Sequence, residues 1–217
     1  TDGSGNVATA QYEVDVTNEP KTFTYDANGN LTSDGTRTFE WDAANQLIAV
    51  NQGTHRSEFT YDGYWRRVRM VEKEDSSVIT DERFVWDRND IAERRDQTGS
   101  VATARLFRHS LQDTGAARYL TRDHVMSIRE LTDASMAIQA RYDYAPFGMV
   151  TKVAGTGPDL LGYTGVVVHE TSGLFLMKRR AYDTAQARWL SEDPLGQQDG
   201  PNLYAYVVND RGCPGRC

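Results

Sequence analysis

One short pattern constrains this chain more than its composition does. A phenylalanine, any residue, a tyrosine or tryptophan and then an aspartate recur four times. The copies are Phe23-Thr24-Tyr25-Asp26, Phe39-Glu40-Trp41-Asp42, Phe59-Thr60-Tyr61-Asp62 and Phe84-Val85-Trp86-Asp87. Shorter echoes follow at Tyr142-Asp143 and Tyr182-Asp183. Residues i and i+2 of an extended strand share a face, so each copy sets two aromatic rings side by side. The intervening Thr, Glu or Val suits the opposite face, and aromatics favour strands. The aspartate ends the strand, because its carboxylate accepts from N–H groups two residues on. Turn residues follow, as in Ala27-Asn28-Gly29-Asn30 and Ala43-Ala44-Asn45-Gln46. Return strands come next, as in Leu47-Ile48-Ala49-Val50 and Val68-Arg69-Met70-Val71. Each unit reads as strand, Asp-led turn, strand. A lone hairpin is marginal in water, whereas hairpins laid side by side gain about 0.2–1 kcal/mol per cross-strand pair. The expected chain is all-β, and its aromatics are first of all sheet core.

Composition supports a folded body. Hydrophobic residues make up 39% and charged residues 25% of the 217, too apolar for disorder and too polar for a membrane bundle. The longest apolar run, Leu203 to Val208, is far short of the roughly 20 residues of a spanning helix. A net charge of −7 repels phosphate backbones and argues against a nucleic-acid binder. Cys213 and Cys217 sit at the end of the chain, cannot staple its body, and are two ligands short of a structural zinc site. Thr1 is followed by no basic stretch or apolar segment, so any export signal is expected outside this sequence.

The repeat resembles the YD repeat of the Rhs (rearrangement hotspot) family, which includes bacterial polymorphic toxins, the C component of insecticidal toxin complexes and the animal teneurins. Tyr25-Asp26-Ala27-Asn28-Gly29-Asn30-Leu31 is similar to its consensus unit. Asp123-His124-Val125-Met126-Ser127-Ile128-Arg129-Glu130-Leu131-Thr132-Asp133-Ala134, followed by Arg141-Tyr142-Asp143-Tyr144-Ala145-Pro146-Phe147-Gly148, resembles a second family block. Gly162-Tyr163-Thr164-Gly165, Arg180-Ala181-Tyr182-Asp183, Arg188 to Gly196 and Asn202 to Val207 resemble the C-terminal Rhs-associated core. The resemblance implies antiparallel hairpins spiralling into part of a curved shell, with a short helix in the core. It divides the chain into hairpins at 19–118, the core at 119–212 and an atypical tail at 213–217. Residues 1–18 differ, and read equally as the end of an Ig-like unit or as one more shell strand.

In toxin-type members the core is a self-cleaving aspartyl protease, built on two DPxG motifs that release a C-terminal toxin. The chemistry needs two close carboxylates sharing one proton. Asp193, Pro194 and Gly196 supply the first motif. The second is missing: the chain ends Val208-Asn209-Asp210-Arg211-Gly212-Cys213-Pro214-Gly215-Arg216-Cys217. Asp210 lies outside the motif. Asp193 is therefore expected to cap a turn rather than cut a peptide, and the chain to be a truncated piece.

Other chemistry is not signalled. His55, His109, His124 and His169 are isolated in sequence, so no metal site is expected, and no cofactor. His124, within the Asp-His block, is expected to make a fold-specific hydrogen bond. Arg66-Arg67, Arg94-Arg95 and Lys178-Arg179-Arg180 read as solvated faces. Glu72 to Ser77 reads as an exposed hairpin tip, and Thr184 to Ser191 as the short helix. The function expected is a structural shell segment of a secreted or surface bacterial protein that encloses or presents a passenger. Its expected partners are the rest of the shell or a C-terminal toxin, then secretion components or surface glycans. The alternatives are a cis-acting aspartyl autoprotease and a glycan-binding or cell-binding adhesin.

Overall fold

The computed structural model describes residues 22–113, 116–155 and 161–206. The expectations for residues 1–18, Asp210, the two cysteines and the tail lie outside them. Two antiparallel sheets account for nearly everything described. The larger has fourteen strands in sequence order, so every neighbour is joined by a hairpin and nothing crosses over. Its first seven strands are β1 (Thr24–Tyr25), β2 (Leu31–Ser33), β3 (Thr38–Trp41), β4 (Leu47–Gln52), β5 (His55–Tyr61), β6 (Arg67–Glu74) and β7 (Ser77–Asp87). The rest are β8 (Asp90–Arg95), β9 (Ala102–Phe107), β10 (Ser110–Asp113), β11 (Ala116–Arg122), β12 (Ile128–Thr132), β13 (Ile138–Tyr144) and β14 (Val150–Gly155). The smaller sheet is β15 (Val167–His169), β16 (Leu174–Leu176), β17 (Ala181–Asp183) and β18 (Arg188–Trp189).

The Asp-led turn recurs with one geometry. The Asp26 carboxylate accepts from the N–H groups of Asn28 and Asn30, each at 2.9 Å. Asp42 does the same for Ala44 and Gln46, and Asp62 for Tyr64 and Arg66. Asp123 and Asp133 repeat it on Val125 with Ser127 and on Ser135 with Ala137. Residue i+3 of this turn is left-handed: Gly29, Asn45, Trp65, Met126 and Met136 have φ of 74°, 59°, 65°, 71° and 67°. Glycine suits that position and a side chain strains it. Met136 is 75% exposed, so nothing is lost by trimming it. Met136→Gly is expected to stabilise the chain by about 1 kcal/mol, read as a rise in the denaturation midpoint.

Three local expectations need correction. The fourth copy has no Asp-led loop, because Asp87 pairs directly with Asp90 across a two-residue turn in which Arg88 has φ 54°. Tyr142-Asp143 is out of phase with the repeat. Tyr142 is buried, Asp143 points to Arg129 on β12, and Tyr144 is the second ring. The turn aspartate is there replaced by Ala145, and the backbone bonds of Ala145 to Met149 and of Gly148 to Ala145 hold the turn without a carboxylate. Thr184 to Ser191 is not a helix. The Asp183 carboxylate takes the N–H groups of Ala185 and Gln186, Ala187 sits at φ 54°, and the chain returns as β18. Helical turns instead occupy Tyr163–Gly165 and Gly196–Asp199, each as a 3-10 turn.

The core forms where the two sheets meet. Leu31, Phe39, Leu47, Val50 and Phe59 of the wall pack against Leu174, Leu176, Ala181 and Leu190. The other face of the small sheet buries Phe175, Tyr182 and Trp189 with Tyr206. Strands β16 and β17 are thus buried at every position. A separate cluster of Leu111, Leu120, Ile128, Leu131, Ala140 and Tyr142 lines the later hairpins.

Candidate functional site

The first feature of interest is how successive hairpins are stitched together. In the second, third and fourth copies the second aromatic donates to a backbone carbonyl at the start of the preceding strand, which belongs to the neighbouring hairpin. Trp41 Nε1 reaches Leu31 O at 2.7 Å, Tyr61 Oη reaches Leu47 O at 2.9 Å, and Trp86 Nε1 reaches Arg67 O at 2.8 Å. Tyr144 Oη repeats the contact on Ile128 O at 2.8 Å. The preference for Tyr or Trp over Phe at this position follows, since only those rings carry a donor. The first aromatic has no such duty: Phe39, Phe59 and Phe84 are simply buried. Phe23 and Tyr25 of the first copy are partly buried against the same core.

The second feature is closure. The small sheet and its flanks bond to both ends of the fourteen-stranded strip. At the first hairpin, Tyr204 Oη donates to Gly29 O at 2.8 Å and Leu31 N–H donates to Leu190 O at 2.8 Å. At the last hairpin, Tyr182 Oη donates to Phe147 O at 3.0 Å. Tyr182 and Tyr206 stack at 4.6 Å between ring centres, linking the two sets of contacts. Thr164 N–H donates to Ser127 Oγ at 3.0 Å. The wall is therefore curved around the small sheet, which closes the end where the Asp-led turns of the odd-numbered strands lie.

Polar contacts anchor this closure. Arg37, in the turn just before β3, forms a buried ion pair with Asp183 on β17 and another with Asp34 at 2.6 Å, and donates to Ser172 O at 2.7 Å. Glu72 on β6 is buried and accepts from three side chains. His169 Nε2 lies 2.8 Å from Oε1; Ser57 Oγ and His55 Nε2 each lie 2.6 Å from Oε2. His169 Nδ1 lies 2.6 Å from Ser172 Oγ, which also accepts Leu174 N–H. The Nε2–H tautomer satisfies every one of these contacts. Although Ser172, His169 and Glu72 are in line, all three are buried, so the row is a bracket between the sheets and not an exposed nucleophile. Histidines isolated in sequence thus converge on one carboxylate, and Glu72 is no part of an exposed tip; the tip is Asp75-Ser76.

This bracket is sensitive to pH in a defined direction. Both nitrogens of His55 face carboxylates, Glu72 at 2.6 Å and Glu74 at 3.0 Å. Only the imidazolium has two N–H donors for them. The hydrogen bond to Glu72 raises the His55 pKa above 6.5, although desolvation opposes it. Burial acts to raise the Glu72 pKa, but bonds from His169, Ser57 and His55 outweigh it and hold the group below 4.5. The His55 contribution is fully present below pH 6.5 and fades as pH rises through the higher folded value. That of Glu72 is present above pH 4.5 and fades as pH falls through the lower one. Thermal melts should be highest between these limits. His55→Gln should flatten the alkaline decline and leave the acidic one.

Asp193 caps its own turn. Oδ1 accepts Leu195 N–H at 2.9 Å, and Oδ2 lies 2.9 Å from Arg180 Nη1. Pro194 follows in the turn and Gly196 takes φ 64°. Most side chains of the basic clusters are held by partners rather than freely solvated, although Arg179 is exposed. Arg67 is buried with its guanidinium 5.9 Å from the centres of Phe59 and Phe84, and Arg66 pairs with Asp62 at 2.7 Å. Arg94 lies 3.4 Å from Glu82, and Arg95 bonds Glu93 at 2.7 Å. Lys178 donates to Asn89 at 2.9 Å, Arg179 covers Trp65 at 5.0 Å, and Arg180 covers Trp189 at 4.0 Å. This basic hairpin straps the small sheet across the wall's turns. His124 is exposed; the bonding of its block runs instead through Asp123 and Ser127. Among the described residues no cluster of His, Cys, Asp and Glu could hold a metal ion, and no helix is long and apolar enough to cross a membrane.

These features define a class: a wall of stacked hairpins curved around a closing sheet. The chain belongs to the teneurin YD-shell family, whose model matches residues 11–199. It is 25% identical to the tRNA nuclease WapA of Bacillus subtilis, covering 96% of this chain and 10% of that protein. It is also 25% identical to double-stranded DNA deaminase toxin A of Burkholderia cenocepacia, covering 88% of this chain and 16% of that one. Among solved structures it resembles the TcdB2-TccC3-TEV complex, with a TM-score of 0.69 and 23% identity over 86% of this chain and 10% of that chain. The Photorhabdus luminescens Tc holotoxin pore matches with a TM-score of 0.69 and 21% identity, over 87% and 10%. The chain thus spans about a tenth to a sixth of these relatives. It is a structural shell segment similar to those of Rhs-type toxins.

Proposed function

We propose that this segment is the closing end of a shell that encloses or presents a C-terminal passenger in a secreted or surface-exposed bacterial protein. The observation that supports it most is the double attachment of the small sheet, at Gly29 and Leu31 on one side and at Phe147 on the other. A container needs its wall joined to its closing element on both sides, and this arrangement supplies that. The nuclease and deaminase names of the relatives suggest a toxin as the passenger. Residues 19–118 act as wall and 119–212 as the family core, although the sheet itself runs unbroken through β10 and β11.

Asp193 serves this role as a turn cap held by Arg180, and self-cleavage is not part of the reading. Mass spectrometry after incubation from pH 4 to 8 tests that part: a fragment that appears in the wild type and not in Asp193→Ala would assign the protease. The shell role is tested by limited proteolysis of the polypeptide carrying this segment. Residues after the core should be protected in the wild type and cut in a closure variant. Equal cutting in both would contradict it.

A further inference from the structure

The tips of two neighbouring hairpins frame a cleft that closure does not use. The β4–β5 turn at Gly53 and Thr54 and the β6–β7 turn at Asp75 and Ser76 lie side by side, joined by the bond from Asp75 N–H to Thr54 O at 3.1 Å. Arg56 and Glu58 alternate along β5 with the buried Ser57 and Phe59, so they face away from the closing sheet. With Lys73 of β6 they complete an open cleft of about 310 Å³, at the lower end of the range for small-molecule sites, about 300–1,000 Å³. Its walls are polar. Asn51, Thr54 and Ser76 supply amide and hydroxyl groups, and Arg56, Glu58 and Lys73 supply charge. No aromatic ring lines it, so a sugar finds no stacking surface there.

The charges run in a chain of alternating sign. Glu40 pairs with Arg56, Arg56 Nε donates to Glu58 Oε1 at 2.8 Å, and Lys73 Nζ donates to the same oxygen at 2.8 Å. Two groups in this chain keep unspent capacity. Among the described residues Glu58 Oε2 accepts no hydrogen bond, and the Lys73 ammonium uses one of its three donors. Both side chains reach solvent, Glu58 at 33% and Lys73 at 26% exposure. This pattern selects a ligand. A simple anion drawn to Lys73 meets Glu58 beside it, and a simple cation drawn to Glu58 meets Lys73 and Arg56. A neutral molecule gives up the stronger bonds that a charged partner makes. A molecule whose ammonium and carboxylate lie a few bonds apart satisfies both groups together, and Asn51, Thr54 and Ser76 remain for its other polar atoms.

We propose that the cleft between these two hairpin tips binds a small zwitterion of the amino-acid type, its carboxylate on Lys73 and its ammonium on Glu58. The site stands apart from the closing sheet and does not depend on what the shell holds. Its test is titration of the full chain with glycine, alanine and serine, followed by amide NMR, with acetate and methylammonium as ligands of a single charge. Shifts should centre on residues 51–58 and 73–76, and should saturate at concentrations about tenfold below those at which either single ion acts. Glu58→Gln and Lys73→Gln should each weaken binding by about tenfold, the scale of one charge-assisted hydrogen bond. Glu93→Gln, at a separate ion pair with Arg95 on β8, should change nothing, and melts should confirm that the variants are folded. Where a variant does not fold, the comparison of zwitterions with single ions on the wild type still decides. Failure of all three amino acids to saturate the cleft, an equal response to acetate or methylammonium, or unchanged binding in both cleft variants would overturn the proposal.

Discussion

Replacing Arg37 with alanine is expected to destabilise the chain by about 3–5 kcal/mol, the usual cost of leaving one member of a buried ion pair alone. Arg37 is the strap between the second hairpin and the small sheet. Its guanidinium serves Asp183, Asp34 and the carbonyl of Ser172 at once. Asp183 is 2% exposed, so without the arginine its charge has little water to turn to. Burial works against the arginine's charge, and the attraction of Asp183 and its hydrogen bonds more than restore it. Arg37→Lys should recover only part of the loss, since an ammonium cannot bridge three acceptors in one plane. Urea denaturation of the three proteins reads this directly. A loss below about 1 kcal/mol, the range of exposed pairs, would show that the Arg37 strap contributes no more than a surface ion pair.

Tyr182→Ala should cost a similar 3–5 kcal/mol, as expected for deleting a buried aromatic side chain. The ring is fully buried and packs on Phe175, Trp189 and Tyr206. Its hydroxyl is the bond from the closing sheet to Phe147. Tyr182→Phe separates the two roles. It keeps the packing and removes only the bond, at about 0.5–1.5 kcal/mol. Hydrogen exchange should then localise the effect of Tyr182→Phe to the last hairpin, β13 and β14. Tyr182→Ala should loosen the small sheet as well.

Much of the wall was legible in the sequence because its chemistry is local. Phe-x-Tyr/Trp-Asp states a two-residue period and a turn aspartate in four letters, and Asp26, Asp42 and Asp62 fold as that logic requires. The same logic misled at Tyr142-Asp143. The letters matched, but Ala145 holds the turn through backbone bonds that any residue can make. At Thr184 to Ser191 the error came from elsewhere: the proline stop at Pro194 suggested a helix, whereas Asp183 leads a turn as the repeat logic requires and Ala187 takes a positive φ. What no spacing could disclose is contact across long stretches of chain. Glu72 and His169 meet from strands of different sheets, and Arg37 reaches Asp183 on the small sheet from a turn of the large one. Arg67 and Arg180 look like surface charges until the strap and the neighbouring rings cover them. The donor role of Trp41 and Tyr61 was visible in principle, since Phe never occupies that position in the four full repeats.

The double attachment is most directly checked by one distance. Spin labels can be placed at Ala27, in the turn of the first hairpin, and at Met149, in that of the last; both are exposed. Cys213 and Cys217 are first changed to serine. A flat strip would hold these turns on the order of 60 Å apart, twelve interstrand steps at about 4.8 Å. A wall curled around the closing sheet should give a single narrow distribution well short of that, broadening and lengthening in Tyr182→Ala. A wild-type distance near the flat value, or one indifferent to Tyr182, would contradict the account.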